Sequence, residues 1–222
     1  KEGVLGFRTI EDCRKMIETS KRYKKAAVIG GGLLGLEAAR GLLNLGMDVQ
    51  VIHHSGFLME RQLDRAASAM LREELEKQGM SFLLNKHTDE IIGENRVEGV
   101  RFNDNSKIAA DLVVMATGVR PNVNLAKKSG IATNRAIIVN DYLETSIPDI
   151  YAVGECAEHR GMTYGLVAPL YEQGKVLARH LCQMKNEGYG GSVLSTQLKI
   201  SGIDVYSVGE FKENQGAKAI TI

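Results

Sequence analysis

Several features that would assign a function at once are scarce in this sequence. Its cysteines, Cys13, Cys156 and Cys182, are odd in number and form no Cys-x-x-Cys, which argues against a disulfide framework and a thiol redox pair. No uncharged apolar run approaches the roughly 20 residues of a membrane span. The charged segment 1–20 lacks the apolar core of a signal peptide. A cytoplasmic location is therefore the simplest expectation.

An excess of charge of either sign is also missing. The 222 residues carry 28 Lys plus Arg and 27 Asp plus Glu, so the formal net charge is +1. Because no basic run stands out, nucleic acid is not an expected partner. A composition of 44% hydrophobic and 25% charged residues is ordinary for a globular protein. The length allows one large domain or two small ones.

The most informative segment that is present is a glycine-rich corner. An apolar strand-like run at 26–29 leads into Gly30-x-Gly32-x-x-Gly35, and a helix-forming stretch follows. This is the context that the dinucleotide fingerprint requires: Gly30 allows a tight turn, Gly32 lets backbone approach a pyrophosphate, and Gly35 lets the helix pack closely. The alternative is a helix-packing glycine cluster without a nucleotide. The backbone expected to hold the diphosphate at the helix N-terminus is that of Gly30, Gly32, Leu33, Leu34 and Gly35.

The flanking segments complete a strand–helix–strand unit. An apolar face at helical spacing spans 33–45, Gly46 stands where the helix should end, and 48–52 alternates as a second strand. The ribose-reading position of this motif follows that strand, and here it is His53, beside His54. A histidine neither accepts strongly from a 2′-hydroxyl nor repels a 2′-phosphate, so NADH and NADPH both stay open. The alternative is two solvated loop histidines.

The remaining chain predicts further α/β elements. The N-terminal half is expected to hold a capped helix to about residue 21, a second amphipathic helix over 62–78, a strand over 80–84, a β-meander over 90–109 and a buried strand over 112–115. In the second half, 145–155 should end another buried strand, a helix should run from 165 to about 184, and strands of a new region should follow from 189.

Four short sequence motifs indicate a particular protein family. They lie at 30–39, 58–64, 154–159 and 166–173, and 198–205 continues the match. Together with Ala116-Thr117-Gly118, they resemble the two-dinucleotide flavoprotein oxidoreductases of the pyridine nucleotide-disulfide reductase superfamily. Within it they are most similar to the large subunits of assimilatory-type NAD(P)H nitrite reductases. The resemblance covers nearly the whole chain.

The resemblance implies an architecture and its cofactors. The expected fold is α/β, a Rossmann-like three-layer FAD/NAD(P)-binding fold with a parallel sheet and a β-meander. Its expected parts are an NAD(P)-binding domain over 1–115, the C-terminal part of an FAD-binding domain over 116–187 and the start of a following region over 188–222. No second Gly-x-Gly-x-x-Gly is present. The chain is therefore expected to be a fragment that cannot reduce nitrite alone, its parent carrying the missing FAD fingerprint, the iron-sulfur cluster and the sirohaem.

The resemblance also assigns roles to individual residues. Gly118 marks the crossing back to the FAD domain, and Gly154 and Glu155 place an acid on the FAD ribityl chain. Glu37 lies near the flavin–nicotinamide contact and pairs with an upstream lysine; its alternative is an acid favoured by the helix dipole. Cys156 is expected to be a packing residue. No catalytic residue and no metal ligand is assigned, because hydride transfer needs placement rather than an acid or a base.

The expected function is electron input: hydride passes from NAD(P)H to FAD, and electrons continue to iron centres in downstream modules. Two alternatives stay open, a ferredoxin- or rubredoxin-type NAD(P)H reductase and a dinucleotide-binding module without turnover. NADH is favoured by the resemblance. Homodimer formation is left open.

Overall fold

The structure, a computed structural model, describes residues 1–200 and 202–209. Residues 201 and 210–222, part of the expected following region, lie outside the described residues. The described helices are α1 Ile10–Ser20, α2 Leu33–Asn44, α3 Arg65–Lys77, α4 Asn124–Lys128 and α5 Val167–Leu181. The described strands are β1 Val4–Gly6, β2 Lys25–Ile29, β3 Asp48–Ile52, β4 Ser81–Leu83, β5 Thr88–Ile92, β6 Gly99–Phe102, β7 Lys107–Ala109, β8 Leu112–Met115, β9 Ile137–Val139, β10 Ala157–His159, β11 Met162–Thr163, β12 Ser195–Ile200 and β13 Ile203–Val208.

The chain divides into two compact units. The first unit comprises residues 1–118 together with the described residues from 195 onward, and the second comprises 119–194. The division into domains expected from the sequence stays a prediction.

A parallel sheet forms the centre of the first unit. Its strand order is β1-β8-β2-β3-β4, and every neighbouring pair is parallel. Ile29 lies opposite both Ile52 and Met115, so β2, β3 and β8 end at the same level. Ligands of such sheets bind outside the carboxyl ends of the strands. The residues that follow these strands, Gly30 and His53 among them, therefore lie along the edge where a ligand is expected.

Alternation along the strands produces three layers. In β2, Ala26 and Val28 pack into a core with α2 and α3, whereas Ala27 and Ile29 face the other side. There they pack against Phe102 and other residues of the antiparallel sheet β5-β6-β7. Because both faces of the parallel sheet are covered, its central strands are mostly apolar: β8 is Leu-Val-Val-Met, and only Lys25 of β2 is polar. The expected α/β fold with a parallel sheet and a β-meander is confirmed.

Local signals set the helix ends. Thr9 and Asp12 form the expected capping box at the start of α1. α3 begins three residues later than the pattern over 62–78 predicts, because Asp64 caps it by accepting the Ala67 N–H at 2.8 Å. The Gln62 N–H instead donates to the Met59 carbonyl in the preceding turn.

The second unit packs α5 against a small mixed sheet, in which β10 pairs parallel to β9 and antiparallel to β11. The strand expected to end near 154 is wrong. Tyr151 makes only an isolated bridge to Glu144, and the Thr145 N–H closes a turn on the Ile150 carbonyl. Pro148 offers no N–H to a ladder, and Asp149 has a φ of 62°, so an apolar pattern is folded as a turn.

The hairpin of β12 and β13 belongs to the first unit. Leu198, Ile200 and Ile203 are buried in the core that α2 shares with the parallel sheet. The Ser207 hydroxyl donates to the Gln62 carbonyl at 2.6 Å. The hairpin is thus an integral layer of the unit that carries the glycine-rich corner. Among the described residues, no helix combines the length and apolar character that crossing a membrane requires.

Candidate functional site

The glycine-rich corner joins β2 to α2 in a tight turn. Gly30 has a φ of 126°, which only glycine adopts readily, and its N–H donates to the Ile52 carbonyl at 2.8 Å. A Cβ on Gly30 would lie 2.2 Å from the Ala116 carbonyl oxygen, and one on Gly35 would lie 1.9 Å from the Gly30 carbonyl oxygen. Both glycines are therefore required by close backbone approach, at the turn and where the helix meets it.

Gly32 is different, because a Cβ there would meet nothing within 4 Å. It is the N-cap of α2, makes no side-chain cap hydrogen bond, and has extended backbone with φ −88° and ψ −175°. The first intrahelical bond runs from the Leu36 N–H to the Gly32 carbonyl. Four N–H groups precede that bond and lie at the positive end of the helix dipole, those of Gly32, Leu33, Leu34 and Gly35. Such a helix start binds anions.

His53 is buried beneath this corner, with 4% of its surface exposed. Its Nδ1 accepts the Gly31 N–H at 3.1 Å, and its Nε2 lies 2.8 Å from Glu60 Oε2. The network assigns the proton to Nε2, since Nδ1 is an acceptor. The alternative of two solvated loop histidines is wrong for His53. It holds for His54, whose side chain is 62% exposed. His53 follows β3 as expected, but both of its ring nitrogens are already engaged.

The segment after His53 folds back onto the glycines. The Met59 N–H donates to the Gly31 carbonyl at 3.0 Å, and Leu58 and Met59 are buried. Met59 has a φ of 51°, unusual for a residue with a side chain. The Gly31 N–H is therefore bonded to His53 and the Gly31 carbonyl to Met59, so neither group is offered to a ligand. The fold-back carries Glu60 to the corner.

Glu60 was not assigned from the sequence, where it appears only inside the motif at 58–64. Its side chain is 26% exposed. Burial by itself would raise the pKa of the Glu60 carboxyl, but the hydrogen bonds from its own backbone N–H and from His53 outweigh burial, so the pKa is lowered. Glu60 is thus a carboxylate at neutral pH. No spacing rule places an acid eight residues after the end of β3, so only the three-dimensional contact reveals it.

His53, His54 and Glu60 also have the composition of a metal site, with ligand atoms within 4.8 Å of one another. The hydrogen bonds disfavour it. A neutral imidazole that ligates through Nε2 carries its proton on Nδ1, whereas Nδ1 of His53 accepts the Gly31 N–H. The cluster is accordingly a hydrogen-bonded pair with an exposed neighbour.

Two further candidates lie in the first unit. Glu37, in the first turns of α2, is half-buried, and its Oε1 accepts the Lys199 N–H of β12 at 3.3 Å. This bond joins Glu37 to backbone of the hairpin. The pairing with an upstream lysine that the resemblance implies stays a prediction. Gly118 follows β8 with a φ of 97° and has open space around it.

Gly154 and Glu155 lie in the second unit, in the loop before β10. Gly154 has a φ of 102°, and its N–H donates to Oε1 of the fully buried Gln173 in α5 at 2.9 Å. A Cβ on Gly165 would come 3.5 Å from Glu155 Oε1. The loop is therefore fixed by the interior of α5, and Glu155 faces the start of that helix.

Comparison with known proteins gives the class first. A family model described as pyridine nucleotide-disulphide oxidoreductase matches residues 1–174, so the chain belongs to that family. FAD and NAD(P)H are the cofactors that this membership supports.

Particular relatives then narrow the likeness. The chain is 66% identical to the NAD(P)H nitrite reductase of Bacillus subtilis (strain 168), over 100% of this chain and 28% of that protein. It is 56% identical to the assimilatory nitrate reductase electron transfer subunit of the same organism, over 100% of this chain and 29% of that protein. Among solved structures, an NAD-dependent persulfide reductase from A. fulgidus superposes with a TM-score of 0.88 at 29% identity, over 94% of this chain and 40% of that one. The chain spans under a third of the length of each of these two curated relatives.

Proposed function

We propose that the chain is the NAD(P)H-binding, FAD-linked electron-input portion of an assimilatory-type nitrite reductase. The observation that carries the proposal is the start of α2. Four successive N–H groups, from Gly32 to Gly35, precede the first intrahelical bond, and Gly32 has open space where a side chain would be. The 66% identity to an NAD(P)H nitrite reductase supports the enzyme class.

In this proposal the residues named for the site bind and orient the cofactors and are given no proton to donate or remove. When bound, the dinucleotide and the flavin supply the hydride-transfer chemistry. The Gly32–Gly35 N–H groups donate to the diphosphate, while Gly30 and Gly35 hold the turn that aims them. Because these donors are fixed by the sheet and the helix, little reorganisation is needed on binding. Rate is gained from placement of the reacting partners.

For the flavin side, the proposal keeps the roles that the resemblance implies for Glu37 and Gly118 of the first unit and, separately, for Gly154 and Glu155 of the second unit. Gly118 and Gly154 both have positive φ and open surroundings, which suits backbone that approaches a ligand. Glu155 would accept from hydroxyls of the ribityl chain. Iron-sulfur and sirohaem centres, and the modules that hold them, belong to the full-length protein in this proposal. A cytoplasmic location stays a prediction.

The sharpest test of the diphosphate site is Gly32→Asp. The backbone at Gly32 accommodates a side chain, and Asp is a favoured N-cap, so helix α2 should be stabilised rather than lost. The new carboxylate would take the same N–H groups and repel the diphosphate. We expect affinity for NADH to fall by about a hundredfold or more in calorimetric titration, while thermal stability is kept.

The matched control is Asn44→Asp, which adds the same charge at the exposed far end of the same helix. It should change NADH affinity less than about threefold, since charges separated by more than a Debye length are screened. Equal affinity in Gly32→Asp and the native chain would contradict the proposal. So would a native chain that binds neither NADH nor NADPH.

The enzyme class is tested with the full-length protein. Nitrite-dependent oxidation of NAD(P)H supports a nitrite reductase. Oxidation that requires rubredoxin or ferredoxin instead supports the alternative reductase. Nucleotide binding without transfer of electrons to any acceptor, even with added FAD, supports a binding module.

A further inference from the structure

The dinucleotide fingerprint lacks its acid in the usual place. That acid accepts a hydrogen bond from the adenosine ribose and follows the second strand of the unit. The residue that follows β3 is His53, and its ring is buried with Nδ1 on the Gly31 N–H and Nε2 on Glu60. With both nitrogens engaged, His53 has no donor or acceptor left for a ribose.

Glu60 supplies a carboxylate at the same sheet edge. Its Oε2 lies 2.8 Å from the His53 ring, and its Oε1 lies 3.7 Å from His54 Nε2. The backbone of the preceding residue, Met59, is bonded to Gly31 within the corner itself. About a quarter of the Glu60 side chain is exposed, so the side chain is accessible in part to a ligand.

We propose that Glu60 is the residue that recognises the ribose 2′-hydroxyl and that it selects NADH over NADPH, with His53 as a positioning residue. The relay Gly31–His53–Glu60 ties the acid to the diphosphate-binding turn. The inference rests on the proposed function, because it concerns the same nucleotide.

The chemistry of the two nucleotides explains why NADH should be preferred over NADPH. A 2′-hydroxyl can donate to a carboxylate, whereas a 2′-phosphate is mostly a dianion at neutral pH and is repelled by it. A carboxylate held in place against the corner cannot turn away from that phosphate without breaking its bond to His53. Selection therefore comes from one attractive and one repulsive contact at the same oxygen atoms.

The decisive variant is Glu60→Gln, which keeps the size of the side chain and removes its charge. Calorimetric titration with NADH, NADPH, ADP-ribose and 2′-phospho-ADP-ribose gives the ratio of affinities with and without the nicotinamide. In the native chain we expect the unphosphorylated member of each pair to bind about tenfold or more tightly. In Glu60→Gln we expect that ratio to fall to about three or less.

His53→Phe and Glu73→Gln complete the set. Phe keeps the ring that packs beneath Gly31 but removes both hydrogen bonds, so it should lower the preference for NADH without abolishing nucleotide binding. Glu73 is an exposed acid on α3 that pairs with Lys77, and its variant should keep the native ratio. Far-UV circular dichroism confirms that each variant is folded.

The outcomes separate the inference from the proposed function. Loss of the NADH preference in Glu60→Gln, but not in Glu73→Gln, supports the inference. A native chain that binds both nucleotides equally, or an unchanged ratio in Glu60→Gln, overturns the inference and leaves the nucleotide site standing. A native chain that binds none of the four ligands overturns both.

Discussion

At the scale of single residues, Asp141 holds two side chains of the second unit. Its Oδ1 accepts from Arg160 Nε at 3.0 Å and lies 2.8 Å from Nε2 of the buried His159, while its Oδ2 accepts from Arg160 Nη2 at 2.7 Å. The Arg160 hydrogen bond, followed by that of His159, lowers the pKa of the Asp141 carboxyl to about 2. Charge-assisted and bidentate bonds of this kind favour the ionised carboxylate.

This lowered pKa predicts a pH dependence of stability. The contribution of Asp141 is fully present above its ordinary pKa of 3.8, and it is lost as pH falls through its folded value of about 2. Urea unfolding followed by circular dichroism between pH 5 and pH 2 measures the loss. In Asp141→Asn this component should be missing. In Arg160→Gln the loss should be smaller and should end at higher pH, because the folded pKa of Asp141 is then lowered less. A native curve that is flat across this window would contradict the assignment.

Residue-scale prediction succeeded where a local rule exists. Gly30, Gly35 and the Thr9–Asp12 capping box have the backbone geometry that their spacing predicts. The burial of His53 and the approach of Glu60 could not be predicted, because they depend on a loop whose path is set by the contacts of Gly31 and by a left-handed Met59. No propensity rule specifies those contacts.

At the scale of elements, α2 shows why glycines of one helix are not equivalent. Gly35 faces the turn, with its Cβ position 1.9 Å from the Gly30 carbonyl oxygen, whereas Gly41 has no neighbour within 4 Å of its Cβ position. The periodicity of 33–45 predicts the helix, but it does not rank these two glycines. Elsewhere, the apolar run near 147–154 satisfies a strand pattern, yet a proline and a left-handed aspartate fold it as a turn. Periodicity is overridden there by turn chemistry.

The two glycines of α2 give opposite predictions. Gly35→Ala should lower the free energy of unfolding by about 1–3 kcal/mol, since backbone atoms must move to admit a methyl group. Gly41→Ala should raise it by about 0.5–1 kcal/mol, because alanine loses less conformational freedom in a helix. Urea denaturation of the two variants is the measurement. Equal effects would show that the corner is looser than described.

At the scale of the whole molecule, the first unit is built from two stretches of chain. Residues 1–118 form its sheets and helices, and the hairpin of β12 and β13 adds buried side chains from beyond residue 194. The layers of this unit were predictable from alternation and helical spacing. The packing of the β12–β13 hairpin onto this unit could not be predicted, because the sequence of 195–208 predicts strands but not the surface that they cover.

Leu198→Ala tests whether the β12–β13 hairpin stabilises the first unit. Leu198 is 2% exposed within the core of the first unit, so the variant should lose about 2–5 kcal/mol of unfolding free energy. Val208→Ala, at an exposed position of the same hairpin, should cost at most about 1 kcal/mol. Guanidinium denaturation compares the unfolding free energies of the two variants. Similar small losses in both would mean that the hairpin contributes little to the unit.

The discontinuous first unit has a consequence for synthesis on the ribosome. Its central sheet can begin to form once β8 has emerged, but the apolar surface that Leu198, Ile200 and Ile203 cover stays bare until β12 and β13 follow. During that interval the second unit is translated, and exposed apolar surface is what chaperones capture. Nascent chains arrested before β12 has emerged should therefore bind chaperones more strongly than chains arrested after both β12 and β13 have emerged.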